Sequence, residues 1–319
     1  MPLRTLSVRP RILLEVADRL DRLALERPPR RADLLRCLSD LEDAWSGGRA
    51  APLAIERLRR LIDLSMPSVD AMDGLPIAER DRINRTYYAG HPALDRLSGY
   101  VNRGDAWLLG FDPRGDGRLI VAFGDPSACP NVATYVPGAG TSLAAISGEL
   151  ERTVTLRERA GASTSVIMWL GYDPPDFADA ILERSARSAA APLREFQDGI
   201  VSNHDGPIRQ LTLVGHSYGS VVIGVAGRSG PLAADDLVVL GSPGMGVRSS
   251  AELPARVWAS TAPNDPIRLA PPAILGPDPI GRGFGSTTFT SARMGHGGYL
   301  HPTNPALDTV ADIVSDHLS

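Results

Sequence analysis

The residues best suited to chemistry lie in the stretch 211–220, where a serine stands between two glycines in the order Gly-His-Ser-Tyr-Gly. Four mostly apolar residues precede this motif, and a second apolar run at 221–226 follows it. The pattern predicts a strand, a sharp turn and a helix, with Ser217 at the apex of the turn. The serine takes a strained backbone conformation so that its hydroxyl projects above the sheet. Side chains at positions 215 and 219 would collide with the neighbouring strand and helix, so glycine is needed at both. The arrangement is typical of a serine nucleophile, and the first turn of the helix offers N–H groups to an oxyanion.

The serine motif needs support from other residues, because it also arises by chance in a chain with 32 glycines in 319 residues. Serine is a weak nucleophile at neutral pH and requires a histidine as general base, with a carboxylate to orient the imidazole. Such residues are expected beyond the carboxyl ends of parallel strands. The predicted strands 256–260 and 286–290 end shortly before Asp265 and His296. The chain thus offers a Ser217–Asp265–His296 triad in the order serine, aspartate, histidine.

Both partners of the serine have rivals in the sequence. His301 follows His296 by five residues, but it precedes a proline and lies further past the strand. For the acid, Asp278 lies in a Gly-Pro-Asp-Pro turn, where an aspartate is expected to be structural. Asp173, after the strand 164–170, is a weaker candidate. The remaining histidines considered are less well placed, and these are His216 inside the turn, His204 in a polar connection and His317 near the chain end.

An oxyanion requires two backbone donors at about 3 Å. We expect one to be the N–H of Tyr218, which follows the serine. The other is expected from the glycine-rich loop 137–141 after the predicted strand 131–136, at Ala139 or Gly140. The same loop could also be an ordinary glycine turn leading into a helix, but its place after a strand favours the functional interpretation.

The elements that position these residues alternate between strand and helix from residue 105 onward. The predicted strands are 106–111, 118–123, 131–136, 164–170, 211–214, 237–240, 256–260 and 286–290. The predicted helices are 141–156, about 176–199, the helix after Ser217 and a last one at about 305–317. The first two strands are joined by the turn-forming residues 112–117 and predict an antiparallel hairpin. The alternation predicts an α/β fold with a mostly parallel sheet covered by helices on both faces.

The segment before the sheet has a different character. Residues 11–64 show three runs of apolar residues at helical spacing, separated by prolines and glycines, and the stretch 65–104 is less regular. We therefore divide the chain into an N-terminal helical region, 1–104, and a catalytic domain, 105–319. The helical region is a possible cap over the site, and its arginines are expected on a solvated face.

Composition excludes several function classes. A net charge of -4 gives no reason to expect nucleic acid, and all 33 basic residues are arginine, which excludes lysine-based covalent chemistry. No metal-type spacing of histidine or cysteine occurs, and the glycine-rich run 281–285 lacks the strand–helix context of a phosphate loop. We expect no metal and no cofactor. Cys37 and Cys129 are expected as free thiols. Without a signal-type segment or a membrane span, the expected location is cytoplasmic.

Six segments taken together resemble an actinobacterial α/β-hydrolase family catalogued as a domain of unknown function. These are Tyr-Val-Pro-Gly at 135–138, the serine motif at 215–220, 240–245, 264–267, 276–279, and Gly-His at 295–296 with Tyr299. The resemblance spans roughly residues 105–317, and it implies the α/β-hydrolase fold and the Ser217–Asp265–His296 triad. It supplies no substrate. One departure is that His296 is followed by two glycines where a polar residue is expected, and residues 1–104 resemble variable helical leaders.

The sequence therefore predicts a serine hydrolase that cleaves an ester, thioester or lactone through an acyl-enzyme on Ser217. Acyl transfer or cyclisation with the same triad is an alternative that the residues leave open. A non-catalytic binding scaffold is a third reading, against which the complete triad argues. The expected partner is a small-molecule acyl substrate, and the oligomeric state is left open.

Overall fold

The structure is a computed structural model that describes residues 69, 72–176, 179–180, 182–271 and 275–318. The described residues belong to one compact unit, Ser68–Ser319. The predicted helices of residues 11–64 lie outside the described residues, and so does Cys37. The division of the chain at residue 104 and the proposed cap stay predictions.

Within the described residues, eight strands form one sheet flanked by helices. The strands are β1 (Ala106–Asp112), β2 (Arg118–Phe123), β3 (Asn131–Val136), β4 (Thr164–Leu170), β5 (Gln210–His216), β6 (Asp236–Leu240), β7 (Arg256–Ser260) and β8 (Thr287–Thr288). The helices are α1 (Ile77–Tyr87), α2 (Pro92–Asp95), α3 (Ser98–Val101), α4 (Ser147–Ala160), α5 (Arg184–Ser202), α6 (Tyr218–Ser229) and α7 (Pro305–Val314). Short 3-10 helices lie at Ser250–Glu252 and Pro266–Leu269.

The strand order across the sheet is β1-β2-β4-β3-β5-β6-β7-β8. β2 is antiparallel to both β1 and β4, and every other neighbouring pair is parallel. The carboxyl ends of β3, β5, β6 and β7 therefore meet at one edge. The predicted opening hairpin and the mostly parallel sheet are both confirmed.

The centre of the sheet is closed to solvent on both faces. Every residue of β3, β4 and β5 is buried, including both sets of alternating side chains. The helices pack in two pairs, α5 with α6 and α4 with α7, and α6 and α7 both contact β3 and β5. Strands that are covered by helices on both faces are expected to consist of near-continuous apolar runs. The α/β fold class predicted from the sequence is confirmed.

Three predicted elements differ most from their bounds in the structure. α4 begins at Ser147 rather than at 141, because the residues before it form turns instead of helix. In this loop the N–H of Leu143 donates to Asp116 O at 2.9 Å. α5 begins at Arg184 rather than near 176, because described residues before it form turns, with the N–H of Leu182 donating to Asp179 O at 2.9 Å. The last strand, predicted over 286–290, is only Thr287–Thr288, and both of its residues are exposed.

The helix α1 is attached to the first strand of the sheet by buried side chains. Arg80 Nε donates to Leu109 O at 3.0 Å, and Asn84 Nδ2 donates to Leu108 O at 3.0 Å. Arg80 is fully buried. These bonds use carbonyl groups on β1, so α1 covers the sheet at this strand.

Candidate active site

Ser217 lies on the sharp turn between β5 and α6. Its backbone has φ 53° and ψ −124°, a conformation that costs a non-glycine residue roughly 1–3 kcal/mol. The turn is possible because of glycines on both sides. A Cβ at Gly219 would lie 2.1 Å from Val136 O, and a Cβ at Gly215 would lie 2.8 Å from the backbone of Ser220. The strained turn holds the half-buried serine at the carboxyl edge of the sheet.

Asp265 and His296 are brought together at the same edge. The ring Nδ1 of His296 lies 2.9 Å from Asp265 Oδ2 and 3.0 Å from Oδ1, although the two residues are 31 positions apart. Asp265 is 3% exposed and caps the 3-10 helix Pro266–Leu269 by accepting from Ile267 N–H at 2.8 Å. A buried carboxylate that accepts two such bonds is held in one orientation. The imidazole is thereby fixed through Nδ1, and its Nε2 is left for another partner.

Tyr299 is a third buried partner of this pair. Its hydroxyl donates to Asp265 Oδ2, and its oxygen accepts the N–H of Ala262 at 3.0 Å. Burial raises the pKa of Tyr299, and the hydrogen bond to Asp265 raises it further, so the hydroxyl keeps its proton. Sequence reasoning quoted Tyr299 only within the family resemblance and gave it no role.

His216, inside the turn, is another residue to which sequence reasoning gave no role. The ring is buried, and its centroid lies 4.9 Å from that of His296. Its Nε2 lies 2.7 Å from the backbone oxygen of His296. Burial lowers the pKa of His216 to about 4. A signal for such a contact existed in the sequence, since a polar ring in a run of buried residues requires a partner.

The rival residues lie in other surroundings. His301 is exposed, and its Nδ1 lies 3.0 Å from Thr303 Oγ1. Asp278 accepts from Ile280 N–H at 3.1 Å, as expected of a structural turn. Asp173 is exposed. Two other histidines that the sequence offered bond elsewhere. His204 bonds with Cys129 O at 2.9 Å, and His317 bonds with Ser315 Oγ at 3.0 Å.

The loop after β3 passes close to Ser217. A Cβ on Gly138 would lie 2.8 Å from Ser217 Cβ, so this loop approaches the serine as closely as glycine allows. Gly140 donates its N–H to Pro175 O at 3.0 Å, which removes this group from the candidate oxyanion donors. Ala139 lines the same cavity as Ser217, and Tyr218 begins α6, where first-turn N–H groups lack partners within the helix. The geometry narrows the candidate donors to Tyr218 and Ala139.

A cavity of about 500 Å³ opens at the candidate site. Ser217 and His296 both line it, and apolar side chains form most of the remaining wall, among them Pro243, Ile267, Leu269, Ala270 and Leu275. Within the described residues, no hydrogen bond joins the Ser217 hydroxyl to the His296 ring. Hydrogen bonds of this kind are often long in enzymes without substrate and tighten on binding.

Two searches of the described residues concern other kinds of site. No group of three or more histidine, cysteine, aspartate or glutamate side chains is arranged to hold a metal ion. No helix in this part of the chain is long and apolar enough to cross a membrane. The expectation that no cofactor is needed stays a prediction.

A mostly parallel sheet with a serine on a strained strand-to-helix turn defines the α/β-hydrolase class of proteins. The family model described as alpha/beta hydrolase matches residues 112–275, and the chain belongs to this family.

Relatives in sequence come from mycobacteria. An uncharacterized protein of Mycobacterium tuberculosis is 32% identical over 262 residues, a match that covers 68% of this chain and 40% of that protein. An uncharacterized protein of Mycobacterium bovis is 32% identical over 162 residues, covering 46% of this chain and 60% of that one. The chain thus spans 40% of the first of these relatives and 60% of the second.

Solved structures with a similar fold include esterases. The esterase LipW from Mycobacterium marinum is 14% identical and has a TM-score of 0.44, with 75% of this chain and 88% of that one covered. The hyperthermophilic esterase from Pyrobaculum calidifontis is also 14% identical and has a TM-score of 0.46, with 82% and 97% covered. At these scores the similarity carries no argument about activity.

Proposed function

We propose that the protein is a serine hydrolase that cleaves a carboxylic ester, thioester or lactone. Ser217 is the nucleophile, His296 the general base and Asp265 the acid that orients the imidazole. One observation carries the proposal: His296 is bound to Asp265 through Nδ1 and lines the same cavity as the strained Ser217. Membership of the alpha/beta hydrolase family supports it.

The acylation step follows from the fact that Asp265 binds only one of the two ring nitrogens of His296. Asp265 holds Nδ1 of His296, so Nε2 accepts the proton of the Ser217 hydroxyl as Oγ attacks the substrate carbonyl. The tetrahedral oxyanion is stabilised by the backbone N–H groups of Tyr218 and Ala139. Collapse of the intermediate breaks the bond to the leaving group, which takes the proton from His296 as it departs.

Deacylation uses the same groups with water in place of the serine. His296 removes a proton from a water molecule, the resulting hydroxide attacks the acyl carbonyl, and a second oxyanion forms in the same place. The Ser217 Oγ then leaves and regains the proton from His296. The carboxylic acid is released and the serine is regenerated.

The cavity wall indicates an uncharged, apolar group on the substrate. Ile267, Leu275 and Ala270 contribute no polar side-chain atom, and a charged acyl group there would lose its hydration without a partner. The volume of about 500 Å³ falls within the range of roughly 300–1,000 Å³ found for small-molecule pockets. Short to medium aliphatic or aromatic acyl groups fit this description.

A fluorophosphonate probe tests the proposal, since it reacts only with an activated serine. The wild-type protein should be labelled, and the Ser217→Ala variant should not. Ser202→Ala is a matched control, because Ser202 is an exposed serine at the end of α5 and its loss should leave labelling unchanged. Absence of labelling in the wild type would refute the proposal. Adding alcohols and amines during ester turnover then separates hydrolysis from acyl transfer by the products formed.

A further inference from the structure

We propose that His216 and Asn264 are positioning residues that hold the loop 295–298, which carries His296. Each is the residue immediately before another member of the proposed triad, His216 before Ser217 and Asn264 before Asp265. The inference rests on the proposed function, because that function makes His296 the general base.

The loop itself has little intrinsic rigidity. His296 stands in the sequence Gly-His-Gly-Gly, and Gly295 has φ 69°, in the left-handed region that favours glycine. Glycine has more backbone freedom than any other residue, so ordering such a loop carries a high entropic cost. The bond to Asp265 orients the ring of His296 but leaves its main chain unrestrained. Contacts to the backbone of the loop are therefore required.

His216 supplies the first backbone contact. Its Nε2 lies 2.7 Å from the carbonyl oxygen of His296, and a carbonyl can only accept, so Nε2 carries the proton and donates. The other nitrogen, Nδ1, is buried without a hydrogen-bond partner among the described residues. The low pKa of His216 agrees with this neutral state, in which only one nitrogen is protonated. The ring therefore acts as a fixed, uncharged donor.

Asn264 supplies the second contact, on the other side of His296. Its Oδ1 accepts the N–H of Gly295 at 3.1 Å. A third and longer contact runs from Arg152 Nε to Gly297 O at 3.4 Å, near the limit for a hydrogen bond. The N–H of Gly295, one residue before His296, and the carbonyl group of His296 itself are thus tied to two different strand ends.

The consequence is that the three members of the proposed triad are held as one unit. His216 leads directly into the serine turn after β5, and Asn264 belongs to the turn after β7. A shift of the loop relative to either strand end breaks one of these bonds. Positioning matters at this scale, because a displacement of about 1 Å can cost on the order of 100-fold in rate.

Paired substitutions separate the effect of losing each hydrogen bond from the effect of changing the side chain. His216→Phe keeps a planar ring and removes the donor, whereas His216→Gln places an amide N–H near the position of Nε2. Asn264→Ala removes the acceptor, and Asn264→Asp keeps it. We expect the Phe and Ala variants to lose roughly 10- to 100-fold in kcat with KM little changed, by the positioning argument. The Gln and Asp variants should recover a substantial part of that loss.

The outcomes distinguish this inference from the proposed function. If wild type is not labelled by the fluorophosphonate probe, the proposed function fails. If wild type is labelled and both His216→Phe and Asn264→Ala turn over an ester at the wild-type kcat, only the positioning role fails. Equal losses in the Phe and Gln variants would likewise overturn the role of the His216 hydrogen bond. Asn264 is exposed, so its variants test the idea even if a change at the buried His216 impairs folding.

Discussion

The Tyr299 hydroxyl and the His296 ring bind the same carboxylate oxygen, Oδ2 of Asp265. The tyrosine is buried, and it connects Asp265 to the N–H of Ala262, which lies two residues after the end of β7. Asp265 is therefore held from three directions, by His296, by Tyr299 and by the N–H of Ile267. The orientation of the acid depends on the tyrosine as well as on its own turn.

Replacing Tyr299 by phenylalanine should lower both stability and activity. The change removes a buried donor from Asp265 and leaves the Ala262 N–H without its acceptor, which together should cost about 1–3 kcal/mol of the free energy of unfolding. Urea denaturation measures this loss, and ester kinetics should show a lower kcat. Tyr100→Phe, at a half-buried tyrosine on α3, is the control and should change neither quantity appreciably. A fully stable and active Tyr299→Phe variant would show that the hydroxyl is dispensable.

Much of the fold could be predicted because local patterns determine it. Apolar runs separated by glycine, proline and aspartate marked the strands, and the serine motif marked the turn after β5. The bounds that were wrong lie where no periodic signal exists. The irregular loops before α4 and α5 have a helix-like composition, and this placed the predicted starts of both helices too early. β8 is an exposed edge strand of two residues, shorter than predicted.

The candidate site could be predicted only as a set of residues at strand ends. Chain order and placement pointed to Asp265 and His296, and their roles stay a proposal. The contacts made by Tyr299 and His216 could not be derived, because they join residues 34 and 80 positions apart. Strand-end placement brings residues to one edge of the sheet but does not tell which further side chains there bond to one another. The same reason left Ala139 and Gly140 equivalent until the bond from Gly140 to Pro175 separated them.

The strain at Ser217 can be measured by comparing two inactive variants. Glycine adopts φ 53° without the steric cost that any side chain incurs, whereas alanine keeps most of the strain of serine. Ser217→Gly should therefore be more stable than Ser217→Ala by about 1 kcal/mol, after subtracting the greater freedom of glycine in the unfolded chain. Urea denaturation gives the difference. A Ser217→Gly variant that is less stable than Ser217→Ala would mean that the turn is not strained in solution.

The width of the cavity can be reduced by a substitution in its apolar wall. Ala270 lines it, and Ala270→Phe adds a ring that fills part of the 500 Å³. We expect the ratio of kcat/KM for octanoyl over acetyl esters to fall at least about tenfold, since that corresponds to roughly 1.4 kcal/mol of lost transition-state binding. Ala251→Phe, at an exposed site in the 3-10 helix Ser250–Glu252, should leave the ratio unchanged. An unchanged ratio in Ala270→Phe would place the acyl group elsewhere.

Burial of His216 should make the protein less stable in mild acid. Its pKa is about 4 in the folded state and about 6.5 in an unfolded chain, so the unfolded state binds the extra proton first as the pH falls. The contribution of neutral His216 to the free energy of unfolding is therefore complete above about pH 6.5. It decreases between about pH 6.5 and 4, by at most about 3 kcal/mol. Neighbouring Glu149, Arg152 and His296 influence the same titration. Urea denaturation across this range should show a steeper loss for wild type than for His216→Gln, which cannot titrate there, and equal slopes would mean that His216 is not the group responsible.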